Sequence, residues 1–161
     1  MSDGELVQIV DRAMAESVRR SGEWLQCKPG CTQCCYGPFE ITRLDAARLR
    51  EGLARLDEAM AGRIRERARA YVELEDAACP ALDPETGTCD LYSARPLTCR
   101  MFGPPAKSED GSYSVCELCF EGASNEQIAA CWVDPDPEGV EARLLDGDPG
   151  LTSVAAALIG F

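Results

Sequence analysis

Four thiols, Cys27, Cys31, Cys34 and Cys35, fall within CKPGCTQCC at residues 27–35, in a chain of 161 residues that contains no histidine. Five more follow at ligand-like intervals: Cys79, Cys89 and Cys99, with nine residues between each and the next, then Cys116 and Cys119 as a C-x-x-C pair. A soft cation needs several thiolates within a few ångströms of one point, and gaps of two or three residues in a tight turn let consecutive cysteines converge on it. Without histidine, a three-histidine site, a facial triad and a Cys2His2 finger are all excluded. All-thiolate zinc, an iron-sulfur cluster and copper(I) remain, and the ligand types alone do not choose among them.

Neighbouring side chains in an extended segment point to opposite faces, so Cys34 and Cys35 serve one centre together only after a local bend. Otherwise one of them packs inward or serves a second centre. Cys116-Glu117-Leu118-Cys119 has the spacing of a redox pair, but no βαβ pattern surrounds it. Joining it to Cys31 and Cys34 in a split zinc site would need a gap far outside compact zinc-ribbon spacing. Cys131, beside Trp132, reads as a buried apolar cysteine. Ten cysteines in a chain long enough to bury a core unaided do not need to act as staples. In a reducing compartment, metal or redox chemistry explains such spacing better than structural disulfides do.

CKPGCTQCC, followed by CPALDPETGTCDLYSARPLTCR, resembles the YkgJ-like CxxxCxxCC cysteine-cluster family, to which zinc or iron chelation is ascribed. The family's pattern falls on Cys27, Cys31, Cys34, Cys35, Cys79, Gly87, Cys89, Tyr92, Arg95, Pro96, Cys99 and Arg100, roughly residues 24–103. The resemblance implies a bound metal. Flagellin lysine methylases with a similar cysteine motif carry a 4Fe-4S centre, so by analogy an iron-sulfur cluster is the leading expectation and zinc the alternative. Some members have a further cysteine just after the C-R element, where this chain has Phe102, Gly103 and Pro104. A last thiolate then comes from Cys116, Cys119 or Cys131. Arg95 and Arg100 bracket Cys99 and are suited to donating charge-assisted hydrogen bonds to an anionic site; pairing with surface acids is an equal alternative. Tyr92 and Phe39 read first as core residues and second as covers over the sulfurs.

The elements that must place these thiols are mostly helical. Leu6, Ile9, Val10, Ala13, Met14 and Ser17 form the stripe of an amphipathic helix over 4–20. Residues 42–77, dense in Ala, Leu, Arg and Glu, predict a helical hairpin broken near Ala61-Gly62, with stripes at Leu44, Ala47, Leu49, Leu53 and Leu56 and at Ile64, Ala68, Tyr71, Val72 and Leu74; the alternative is one long helix, which Gly62 would cost about 1 kcal/mol. From 78 to 122, Pro and Gly punctuate the chain and no helical period survives; a run of that length needs something to tie it down. Ser124 and Gln127 predict a capping box opening a short helix over 124–132, and 138–146 predicts another helical turn. The expected fold is a small single domain, mainly α, with helices flanking an irregular, metal-stapled cysteine-rich lobe. Residues 1–135 form the metal-binding domain, and 136–161 an acidic and mobile extension.

A formal charge of −12 argues against nucleic-acid binding, which clustered Lys and Arg must carry. No segment approaches the roughly 18 apolar residues of a membrane span. The N-terminal residues do not read as a secretory signal, so a cytoplasmic location is expected. There is no P-loop, no dinucleotide fingerprint after a strand and no Ser-His-Asp set. The expected role is therefore a metal-binding carrier, sensor or accessory factor with a protein or redox partner; the alternatives are a structural zinc module that acts as an interaction surface and, behind it, a cluster-dependent enzyme subunit whose missing parts a partner chain would supply.

Overall fold

The computed structural model describes residues 1–160. Along the chain run α1 (Asp3–Ser21), β1 (Glu40–Ile41), α2 (Arg43–Ala54), α3 (Glu58–Ala70), α4 (Leu97–Arg100), β2 (Ala106–Lys107), β3 (Tyr113–Ser114), α5 (Asn125–Cys131), α6 (Val140–Leu145), β4 (Thr152–Ser153) and α7 (Val154–Ile159). Single 3-10 turns lie at Gly22–Trp24, Gln33–Cys35 and Tyr92–Ala94. The expected mainly α class is what forms. Two compact units share the chain: Met1–Lys28 with Leu97–Asp146 make the first, and Pro29–Pro96 with the residues from Gly147 onward make the second.

In the first unit, α1 starts with a capping box in which Glu5 N–H donates to Ser2 Oγ at 3.3 Å and Ser2 N–H to Glu5 Oε2 at 2.6 Å. Asp3 and Glu5 in its first turn and Arg19 and Arg20 in its last complement the helix dipole. Leu6, Val10 and Met14 are buried, as the helical stripe requires. The helix packs against α4, α5 and α6, which supply Leu97, Cys131, Val140 and Leu145. Ser17 is buried too: its hydroxyl donates to the Cys131 carbonyl at 2.6 Å, and the Ser21 hydroxyl donates to the Ser17 carbonyl at 2.7 Å. Ser124 and Gln127 form the capping box expected for α5.

In the second unit, α2 and α3 form the hairpin, but its break lies at Arg55–Asp57, earlier than the expected Ala61-Gly62. Asp57 decides the position, because its carboxylate accepts the Met60 N–H at 2.8 Å and caps α3, leaving Gly62 inside that helix. The helix ends at Ala70, so Val72 and Leu74, expected on its stripe, are exposed instead. Ile41, Leu49, Leu53, Ile64 and Leu158 make the core. α7 lies on α2 and α3, and β4 pairs antiparallel with β1, so the C-terminal residues complete this core. A buried Asp45–Arg48 ion pair of 2.7 Å closes the start of α2, and the same Arg48 nitrogen reaches the Arg95 carbonyl at 3.5 Å.

Candidate metal centre

The second unit gathers its thiols by backbone pairing. Cys35 N–H donates to the Thr32 carbonyl at 2.8 Å, curling Gln33–Cys35 into a turn that brings the adjacent Cys34 and Cys35 side chains to each other. This is the local bend, among the alternatives open for two neighbouring cysteines. Beyond it, Cys79 N–H donates to the Cys35 carbonyl at 2.7 Å and Gly37 N–H to the Ala77 carbonyl at 2.9 Å, with Tyr36 and Ala78 bridged, so Cys79 runs alongside Cys35. The Tyr71 hydroxyl donates to the Gly37 carbonyl at 3.2 Å.

A short hairpin then returns Cys89. Leu82 N–H donates to the Cys79 carbonyl at 2.9 Å, Asp83 N–H to Thr88 at 2.9 Å and Asp90 N–H to Ala81 at 2.8 Å, with Leu82 bridged to Cys89. Arg67 of α3 holds both ends of this hairpin. Its Nε donates to the Pro80 carbonyl at 2.8 Å and its terminal nitrogen to Asp90 Oδ2 at 2.6 Å, so one guanidinium fixes the residues that follow Cys79 and Cys89. Gly87 lies against Gly30 and Thr32, which flank Cys31.

The closeness of these thiols shifts their ionisation. The Cys35 thiol is pushed up, first because it donates a hydrogen bond to Cys34, then by burial and by the nearby Cys34, Cys79 and Cys89 charges. Accepting that bond holds Cys34 down to about 6 against the cost of burial, with Arg95 contributing a smaller pull in the same direction. Burial raises Cys79 and Cys89, and neighbouring thiols add to the rise. Arg95 counters it at Cys89 and Arg67 at Cys79. Cys34, Cys35, Cys79 and Cys89 are therefore one electrostatic group with Arg95 beside it.

In the first unit, Cys116 and Cys119 close a tight turn, with Cys119 N–H donating to the Cys116 carbonyl at 2.9 Å. Phe120 N–H donates to the Trp24 carbonyl at 2.8 Å, and Gln26 N–H donates to Cys119 Sγ at 3.3 Å. The segment leading to Cys27 is thus laid along the C-x-x-C turn. Phe120 takes a left-handed backbone, φ 59°, and its ring stacks on Trp24 at 6.4 Å. The Cys27 sulfur lies over Gly103, where a Cβ would stand 3.0 Å from it, and Gly103 has φ 107°. Cys131 is buried at the end of α5 and its thiol donates to the Arg20 carbonyl at 3.4 Å.

No disulfide joins any of the ten cysteines. Among the described residues no three cysteine or carboxylate side chains surround a single point closely enough to form a ready cation cage. The fit to a metal rests on donor chemistry and loop placement: thiols without histidine, brought together on turns, with guanidinium charge alongside.

Residues 26–119 match the family described as CxxCxxCC, "Putative zinc- or iron-chelating domain". The chain belongs to this family. The CxxCxxCC span takes in every candidate ligand from Cys27 to Cys119 and stops short of Cys131. Its label writes two residues in the first gap, where this chain has Lys28, Pro29 and Gly30. Comparison with curated proteins and with solved structures gave no match.

The flanking residues divide. The Arg95 guanidinium sits 3.6 Å over the Tyr92 ring, with Nε donating to the Tyr92 carbonyl at 2.8 Å. Tyr92 is 63% exposed, which corrects its reading as a core residue: its ring serves as the shelf for Arg95. Phe39 packs against the core. Arg100 pairs with Asp11 of α1 at 2.9 Å, its side chain only 7% exposed. Two residues that position the thiols have no motif signal. Arg67 is one arginine among several on α3, and Gly52 of α2 is so close to Ala94 that a Cβ would stand 2.4 Å from the alanine's.

Proposed function

We propose that the thiols of the second unit hold a 4Fe-4S cluster and that the protein serves as an electron carrier, a cluster sensor or an accessory factor for a protein redox partner. The observation that supports this reading is the backbone pairing that lays Cys79 alongside Cys35, next to Cys34 on its turn, and returns Cys89 on the hairpin that follows. An iron-sulfur cluster supplies one-electron chemistry at a potential set by charge, hydrogen bonding and exposure. Arg95 offsets the negative charge of the thiolates, and Tyr92 holds the guanidinium in place by its ring and carbonyl. Arg67 fixes the approach of Cys79 and Cys89. Free thiols in this number stay reduced in the cytoplasm, where we place the protein; no helix is long and apolar enough to cross a membrane.

Purification without oxygen tests the proposal. A brown protein absorbing near ~400 nm, with iron and sulfide in about equal amounts, is expected of a cluster. Colourless protein with stoichiometric zinc rejects it in favour of a second reading, a structural zinc module that acts as an interaction surface. That reading is favoured by the family's designation, which gives zinc equal standing.

A further inference from the structure

The five thiols of the second unit are already more than one four-ligand centre uses, yet the family span contains four others, Cys27, Cys99, Cys116 and Cys119, all in the first unit. We infer that these four form a metal site of their own, taking a soft divalent ion of zinc's kind. The inference rests on the reading of the thiols as metal ligands, and assigns a second centre to it.

Three features of the first unit carry it. The C-x-x-C turn is already closed by the Cys119 N–H to Cys116 carbonyl bond, the arrangement that lets two sulfurs at this spacing face one point. Cys119 is only 4% exposed, and the Gln26 N–H donates to its sulfur at 3.3 Å, fixing where that sulfur sits beside the turn. Gln26 is the neighbour of Cys27, so the same contact brings a third cysteine to the turn. The Cys27 sulfur in turn lies on Gly103, four residues past Cys99, at a distance that only glycine leaves open. Leu25 joins the two ends of this chain of contacts: it packs against the cluster of Cys119, Phe120 and Cys131, as Cys116 does, and reaches to 3.9 Å from where a Gly103 Cβ would be. Phe120, left-handed at φ 59° and stacked on Trp24, holds the exit of the turn in a conformation that a bulky residue seldom takes. Cys131 is outside the set, its thiol turned to the Arg20 carbonyl.

The test uses the full chain, reduced, stripped of metal and titrated with cobalt(II) without oxygen, reading the thiolate-to-cobalt charge-transfer band. Wild type should saturate at about two cobalt ions per chain, and the Cys116→Ser, Cys119→Ser double variant at about one. The Cys79→Ser, Cys89→Ser variant should also drop to about one. If only that second variant leaves uptake unchanged, the function proposed for the second unit fails and this site stands. If only Cys116→Ser, Cys119→Ser leaves it unchanged, or wild type saturates at a single ion, this site is overturned.

A wild-type measurement guards against variants that do not fold. Cys27 is exposed and Cys116 half-buried, so the fold does not shield them from iodoacetamide. In zinc-loaded protein both should resist alkylation at least ~10-fold relative to the chelated protein, with modified sites mapped by mass spectrometry. Equal labelling of Cys27 and Cys116 before and after chelation overturns the inference, whatever the variants do.

Discussion

Arg67 shows how much of a thiol site depends on residues that never touch a ligand. Its guanidinium spans the Pro80 carbonyl and the Asp90 carboxylate, and Asp90 is largely buried while Arg67 is a quarter exposed. Arg67→Met should leave that carboxylate without its ion-pair partner and cost about 2 kcal/mol of stability, a figure reduced for the partial exposure of the arginine. By loosening the residues after Cys79 and Cys89 it should also weaken metal binding ~10-fold or more, as loss of supporting contacts commonly does. Denaturant melts and competition with a chromophoric chelator check the two effects, and unchanged affinity would remove Arg67 from the site. Arg95→Gln belongs beside it. Loss of the charge near Cys34 and Cys89 should lower affinity for the metal about 10-fold with little change in the denaturant midpoint, because Arg95 lies on an exposed tyrosine rather than in the core. Equal losses of stability and affinity would reassign Arg95 to the fold. The motif made Arg95 legible, since it stands in R-P-x-x-C-R. Nothing did so for Arg67, whose neighbours Arg63, Arg65 and Arg69 look alike in the sequence and whose partners lie in a loop without periodicity.

At the scale of elements, two helix-interior glycines separate what periodicity can and cannot say. The hairpin of α2 and α3 was legible from its stripes and helix formers, but its turn was assigned to Gly62 on intrinsic propensity, and the Asp57 cap overrode it. Gly62 has nothing within 4 Å of where a Cβ would be, so Gly62→Ala should stabilise the protein by about 0.5–1 kcal/mol. Gly52 would meet Ala94 at 2.4 Å, backed by Leu91 at 3.5 Å. The Gly52→Ala methyl must push the Tyr92–Ala94 turn away, at a cost of about 1–3 kcal/mol that exceeds its gain in helix propensity. Because that turn carries Tyr92 and leads into Arg95, metal affinity should fall with stability in Gly52→Ala and hold in Gly62→Ala. Urea midpoints of the two variants, moving in opposite directions, are the expected readout; a shared direction would mean that α2 does not pack on the turn as described. The capping box of α5 is the opposite case, since Ser124 with Gln127 makes its contacts within four residues and leaves its mark in the sequence.

At the scale of the whole molecule, what metal removal does depends on where the apolar area lies. Each unit has a core made by helices: Leu6, Val10, Leu97, Val140 and Leu145 in the first, and Ile41, Leu49, Leu53, Ile64, Ala157 and Leu158 in the second. This division was not legible, because two of the three places where the chain changes unit, Lys28–Pro29 and Pro96–Leu97, lie inside the cysteine motif, where no composition shift or linker marks a boundary; the third is Asp146–Gly147. The cores are built from residues that need no metal to bury them, whereas the segments bearing the thiols hang on a few backbone bonds, such as Cys79 to Cys35 and Asp90 to Ala81. Chelation should therefore act locally, unlike its effect on a small zinc finger whose fold is its metal site. Far-ultraviolet circular dichroism should keep most of its helical signal after chelation. Amide exchange should accelerate at Cys35, Gly37, Cys79, Leu82 and Asp90 by ~10-fold or more while Leu49, Ile64 and Val10 stay protected, since local opening draws on the least buried hydrogen bonds. Collapse of the helical signal together with core exchange would show that the thiols and their ion, rather than the apolar faces of α1, α2, α3 and α7, hold the two units folded.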